Sequence, residues 1–521
     1  MSVRARGARW RSWSARGPAS GAVVALAVAV ALTGCKDAKV ESVGQSSPSA
    51  EATRTDAAPG PSPDAATSAP SAPTSAGAPT PRPAGASAGA GIGGPNWSAT
   101  QLPPTQGGRH LYVSGRGRDS NNGLSRATPV RTLQRAADMT RPGDTVLVGD
   151  GEYTSPENWN VLNITRPGTP DRWITYAAYP GERPVVRPMR KNWQGIHVGA
   201  GAAYIRVVGF TVKGQRANLT PEQIRKAQRG DGSDPAISAN CIAVDVQKNQ
   251  RPMVRPHHVV IWGNTATDCP LVGISAQFAD HVTVENNVTA FNGFYSPYGG
   301  SGISFHGSWN SDAGTGHKMI IRGNVSYGNK MLVKCICVDL KAVTDGNGII
   351  VDSTNNKSFA APPLSQAPYA GRTLVENNIT YDNGGRGINV FQSLHVDVVN
   401  NTLYRNATHP AIDSDLGVVR AEDVTVANNI VVAGRGEKAV GTGDSRNVRF
   451  DSNLVVGPYQ GPRDARLLTG DPGFRDPAAG DFRLTSGSPA IDSGTGALAP
   501  KIDATRSARA GKVDRGALDH R

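Results

Sequence analysis

Sustained apolar runs are scarce in this chain. The stretch from Val23 to Leu32 holds ten residues, too short for a bilayer-spanning helix, which needs about 20. Aromatic residues make up only 6%, and no basic run is interleaved with them, so the usual footprint of a nucleic-acid binder is missing. No 3.6-residue pattern long enough for the crossover helix of a βαβ unit separates the apolar segments, which argues against a doubly wound sheet. Cysteine is sparse too, with five residues in 521.

Basic charge is what the chain has in excess, with a formal net charge of +13. Arg4, Arg6, Arg9, Arg11 and Arg16 stand unopposed before position 35, and without them +8 remains. Such a surface attracts polyanions, acidic polysaccharide and anionic lipid among them, without choosing between them.

The arginine-rich start, the apolar stretch 23–32 and the following Thr-Gly-Cys make a basic region, a short apolar core and a processing site. Leu32-Thr33-Gly34-Cys35 resembles the lipobox of bacterial lipoproteins, which implies a signal peptide over 1–34 and lipidation at Cys35. Residues 35–107 are mostly Ala, Pro, Ser, Thr and Gly, which cannot bury enough surface to offset ordering entropy. We expect a disordered, extended tether there, holding the folded body at the outer face of the membrane. Outside the cytoplasm, Cys241, Cys269, Cys335 and Cys337 form an even set. Three disulfide pairings are open, and four buried free thiols are an equal alternative; Cys335 and Cys337 lack the further ligands of a closed zinc site.

The body carries a repeated phrase of alternating apolar residues closed by asparagine. It ends at Asn264, Asn287, Asn324, Asn378, Asn401, Asn429 and Asn453, at intervals of 23, 37, 54, 23, 28 and 24 residues. Alternation marks strands, and a fixed period of about two dozen residues marks stacked coils. Leucine-rich repeats share the period, but their Leu-x-x-Leu-x-Leu phrase is absent. Asparagines stacked at one turn can bond coil to coil, so we read most of them as structural. A second phrase sets the register: Gly195-Ile-His-Val, Cys241-Ile-Ala-Val, Gly273-Ile-Ser-Ala, Gly302-Ile-Ser-Phe, Gly348-Ile-Ile-Val, Gly387-Ile-Asn-Val and the weaker Ala411-Ile-Asp-Ser. Its isoleucines should face the core and the alternate positions solvent.

His110-Leu-Tyr-Val-Ser-Gly, Arg141-Pro-Gly-Asp-Thr-Val-Leu-Val and the closing Asp481-Phe-Arg-Leu-Thr-Ser-Gly-Ser-Pro-Ala-Ile-Asp resemble right-handed parallel β-helix proteins of the pectate-lyase and chondroitinase-B-like superfamily. The resemblance implies an all-β solenoid over 108–470, a capping helix within Val130–Met139 and a closing segment over 471–521.

Aligned on the second phrase, Asp245, Gln277, His306 and Asp352 fall in one outward column, which Asp415 should extend. Asn240, Ser301, Asn347 and Arg386 form a neighbouring column. Eliminative cleavage of a uronate polymer needs a cation to neutralise the carboxylate and a base for the C5 proton. Asp345 and Asp352 are the expected calcium ligands, Lys341 or His306 the base, and Arg386 the partner of the substrate carboxylate. Gln277, Asn347, Trp309 and Tyr298 are the expected substrate contacts, the rings coming from the aromatic loop 291–317. Asp345-Gly-Asn-Gly reads more readily as turn chemistry, and Lys341 as a solvated surface lysine. The expectation is a monomeric extracellular protein acting on acidic polysaccharide, favoured as a lyase; a hydrolase using Asp245, Asp352 and Asp415, or a glycan-binding adhesin, are the alternatives.

Overall fold

The computed structural model describes residues 104–246, 253–357, 366–434 and 436–521. The signal peptide, Cys35 and all but the last few residues of the tether lie outside them. The described chain winds as a right-handed parallel β-helix. Each coil contributes one strand to each of three sheets: sheet A with 11 strands, sheet B with 11 and sheet C with ten. Sheet A runs from His110–Val113 to Arg446–Asp451, sheet B from Glu152–Tyr153 to Leu468–Thr469, and sheet C from Asn160–Ile164 to Tyr459–Gln460.

Alternation places the core. In sheet C, Ile196, Ile242, Ile274, Ile303, Ile349, Ile388 and Leu416 stand in register and are fully buried. Helix α1 (Leu133–Met139), capped by the Thr132 hydroxyl, packs Leu133, Ala136 and Ala137 against the first coils, as the sequence led us to expect.

The closing asparagines form a buried ladder at the corner between sheets A and B. From Asn264 through Asn453 each side-chain NH2 donates to the amide oxygen of the next, at 2.9–3.1 Å. The row ends at Asp464, which accepts from the Asn453 side chain at 3.0 Å. A second ladder at the corner between sheets B and C joins Asn292, Asn329, Asn383 and Asn406 and ends on Asp415. Asp415 is therefore fully buried rather than a member of the outward column. The strand phrase of that coil is Ser414–Val419, with Leu416 opposite Ile388, so Ala411-Ile-Asp-Ser belongs to the turn. Burial pushes the Asp415 carboxyl up to about 7.

The structure pairs Cys241 with Cys269 and Cys335 with Cys337. The insertion before residue 240 contains helices α2 (Pro221–Gln228) and α3 (Pro235–Ser238). Together with the insertion around 331–343 and Tyr295, they build a small separate apolar cluster at the strand-entry edge of sheet C. The segment from Phe474 onward lies across sheet B, where Phe482 meets Tyr381 and Tyr404.

Candidate functional site: the outer face of sheet C

The outer face of sheet C carries polar columns, and strand register sets them. Gln277, His306 and Asp352 are successive Cα partners, followed by Phe391. Gln277 Nε2 lies 2.9 Å from His306 Nδ1. Asp245 precedes them but is tied to His197, whose Nε2 lies 2.9 Å from Asp245 Oδ1. The other ring nitrogen of His197 meets Asn163 and Asn160, so this buried imidazole is fully engaged and positions Asp245. It lies inside the second phrase, where its identity could have singled it out.

At the strand-entry edge, Asp345 accepts from the Thr344 hydroxyl at 2.7 Å and from Asn347 Nδ2 at 3.1 Å. Burial, and next the neighbouring Asp352 charge, push its carboxyl up to about 6, against the pull of Thr344, Arg386 and Ser301. Gly299 lets the backbone approach: its φ is +80°, and a Cβ there would lie 2.6 Å from Asp345 Oδ2. Arg386 donates to Ser414 at 3.1 Å and to Asp413 at 2.7 Å. Asp345, Asp352, Arg386, His306 and Gln277 are thus brought onto one face within a few coils.

Other expected contacts sit elsewhere. Asn347 is fully buried, with its amide bonded to Ser301, Asp345 and the Arg386 backbone; it positions these residues instead of facing a substrate. Lys341 is 73% exposed and its nearest acidic group is Asp339 at 3.6 Å. Two consecutive left-handed residues, Asp339 and Leu340, precede it. Tyr298 packs against Gly232 of the helical insertion; burial and the Asp231 charge push its phenol up to about 12. Trp309 lies on the opposite, strand-exit side, with the Arg255 guanidinium 5.7 Å from its ring centre. The two rings therefore flank the face from different sides.

Two further constellations lie outside sheet C. Asp280, His281 and Asp312 have metal-ligand spacing, but the buried Lys318 ammonium already sits 2.7 and 2.8 Å from the two carboxylates, and the Tyr369 hydroxyl donates to Asp280 at 2.7 Å. On sheet A, a groove of about 460 Å³ is lined by His317, Arg372, Asp397, Asp423 and Leu498. Arg372 bridges both aspartates there, and with His317 it holds the Asp397 carboxyl down at about 2 although burial opposes it. Both are closed ion-pair networks.

The uncharacterized protein YwoF of Bacillus subtilis (strain 168) is 34% identical over 79 residues, covering 15% of this chain and 16% of that protein. Among solved structures, pectate lyase Pel9A matches with 17% identity over 80% of this chain and 99% of its own, at a TM-score of 0.48. An alginate lyase from Paenibacillus sp. str. FPU-7 matches with 15% identity over 65% and 95%, at 0.39. The family model described as Pel9A-like, right-handed beta helix region, matches residues 111–420, more than half of the sequence. The chain belongs to the Pel9A-like right-handed β-helix family.

Proposed function

We propose that this protein acts on polysaccharide outside the cytoplasm, and most concretely that it cleaves an acidic glycan by β-elimination on the outer face of sheet C. The observation that carries the reading is the juxtaposition on that face of Asp345, with its carboxyl raised to about 6, with Asp352, His306 and Arg386. The net positive charge supports an acidic substrate.

In this reading the Arg386 guanidinium meets the uronate carboxylate, which acidifies the C5 proton. His306 accepts that proton at Nε2 when the Gln277 amide is turned so that its oxygen takes the Nδ1–H. The C4–O bond breaks as the C4–C5 double bond forms, and Asp345 protonates the departing oxygen, for which a carboxyl near 6 is suited. In a calcium-assisted form of the reading, Asp345 and Asp352 would instead hold the cation as ionised carboxylates, which relieves their mutual repulsion, and the departing oxygen would take its proton from water. Calcium there would neutralise the substrate carboxylate. The same pair favours a second reading, an acid and a base or nucleophile of a glycoside hydrolase, since Asp245 and Asp415 are committed to His197 and Asn406.

The test is incubation with polygalacturonate, alginate and xylan, with and without calcium. New ultraviolet absorbance from an unsaturated uronate supports elimination; reducing ends without it support hydrolysis. Binding without cleavage at every calcium level sinks both and leaves an adhesin. Anchoring through Cys35 belongs to the same proposal, and Cys35→Ser should release the protein from the membrane fraction.

A further inference from the structure

Trp159 is the one aromatic among the large hydrophobic residues left exposed in the described chain, at 44%. Its ring stacks on Trp193 of the next coil, with centroids 5.6 Å apart and planes 25° apart. The Trp193 N–H donates to the Trp159 carbonyl at 2.7 Å, so the two rings are fixed to the coil ladder. The residues that follow each ring, Asn160 and Gln194, are Cα partners at the strand-entry edge of sheet C. Both are 8% exposed, and Asn160 Oδ1 and Gln194 Oε1 have no hydrogen-bond partner. Asn160 reaches the outward-facing His197, which places it on the outer face. Buried acceptors without donors are costly to leave so. Beside the rings, Arg190 and Lys191 oppose the single carboxylate of Glu157 and leave a net positive charge.

We infer that Trp159 and Trp193 form a pyranose-binding subsite at the N-terminal end of the sheet C face, taking a ring of the same acidic glycan. A flat, rigid indole pair offers an apolar surface to the C–H face of a sugar, and the net positive charge of Arg190, Lys191 and Glu157 beside it suits the sugar's carboxylate. Strand order puts four strand steps between Gln194–Val198 and Ile349–Asp352, or ~19 Å at ~4.8 Å per step. Two sugar rings cannot span that distance. The glycan therefore runs along the coil axis, and chain length becomes a determinant of affinity. This inference rests on the reading of the sheet C face as the glycan site, and the following experiment separates the two.

Wild type, Trp159→Ala, Trp159→Phe and Asp352→Asn are titrated with disaccharides and with long oligosaccharides of polygalacturonate and of alginate, by calorimetry and by quenching of tryptophan fluorescence. Wild type should bind long chains more tightly than disaccharides and quench on binding. Trp159→Ala should weaken long-chain binding about tenfold and abolish the length dependence, with Trp159→Phe restoring most of it. Undiminished long-chain affinity in Trp159→Ala, with loss in Asp352→Asn, overturns the subsite and leaves the proposed site standing. Loss in Trp159→Ala with none in Asp352→Asn supports the subsite and overturns the site. A wild type that binds none of these probes overturns both.

Discussion

Sheets B and C are built from the same coils, yet their outer faces differ. On sheet B, Tyr327 stacks on Tyr381 at 4.8 Å, and Phe474 and Phe482 of the C-terminal segment cover Tyr381 and Tyr404. On sheet C the Gln277, His306 and Asp352 side chains stay part-exposed, and the amide oxygens of Asn160, Gln194 and Asn389 are left without donors. Inward residues are alike on both sheets, so the coil supplies stability to each. What differs is whether the outward residues find their partners within the chain or outside it. A covered face should answer mutation with lost stability, and an open one with lost binding.

The contrast is anchored in the ladders, which serve both sheets, and breaking one should cost most. Asn378→Ala removes the acceptor for the Asn324 amide groups and the donor to the Ile321 carbonyl. With each buried group left unpaired costing ~1–3 kcal/mol, we expect a loss of about 3–6 kcal/mol in denaturant unfolding.

On the covered face, Phe482→Ala should cost ~3–5 kcal/mol and expose the segment after 470 to protease while glycan binding persists. Retained protection would mean that the C-terminal segment is held elsewhere.

Asp415 gives a pH-dependent test. Its folded carboxyl is raised to about 7, above the unfolded value of about 3.9. The folded state therefore holds the proton more tightly, and this contribution to stability fades as pH rises from about 4 to about 7. Asp415→Asn keeps the acceptor for Asn406 and removes the buried charge. We expect it to gain ~1–3 kcal/mol near neutrality and nothing near pH ~4; identical slopes in the two proteins would refute the assignment.

The smallest stability effect belongs to the open face. Arg386→Ala should change unfolding by under ~1 kcal/mol while abolishing turnover or glycan binding. Full activity in that variant would move the site off sheet C.

Much of this was legible in the sequence because a coil repeats its own errors and successes. The closing asparagines and the Gly-Ile phrase located the first ladder, the core column and the Gln277–His306–Asp352 row. The second ladder follows the first at five residues, at Asn292, Asn329, Asn383 and Asn406, but the first three of those adjoin a glycine and have the look of turn residues. Asp415 was misplaced because the turn of its coil contains a chance Ala-Ile-Asp-Ser. Helix α2 opens on the capping box Thr220-Pro-Glu-Gln223, a four-residue signal that lies outside the repeat. Lys341 could not be placed from alternation, since two left-handed residues interrupt the chain just before it. Nor does alternation speak of the insertions, whose packing holds Tyr295 in their apolar cluster and Tyr298 against Gly232.

Both ladders close on a carboxylate, Asp464 in one and Asp415 in the other. An amide both receives and passes on a hydrogen bond, whereas each of these carboxyls accepts from the last asparagine and passes nothing to a further one. Such a residue acts as a chain terminator in a head-to-tail polymer. Coils can then be duplicated or deleted in the interior of the stack without redesigning its end. In the proposed reading of the sheet C face, the number of sugar rings it spans thus becomes a quantity that gene duplication adjusts one coil at a time.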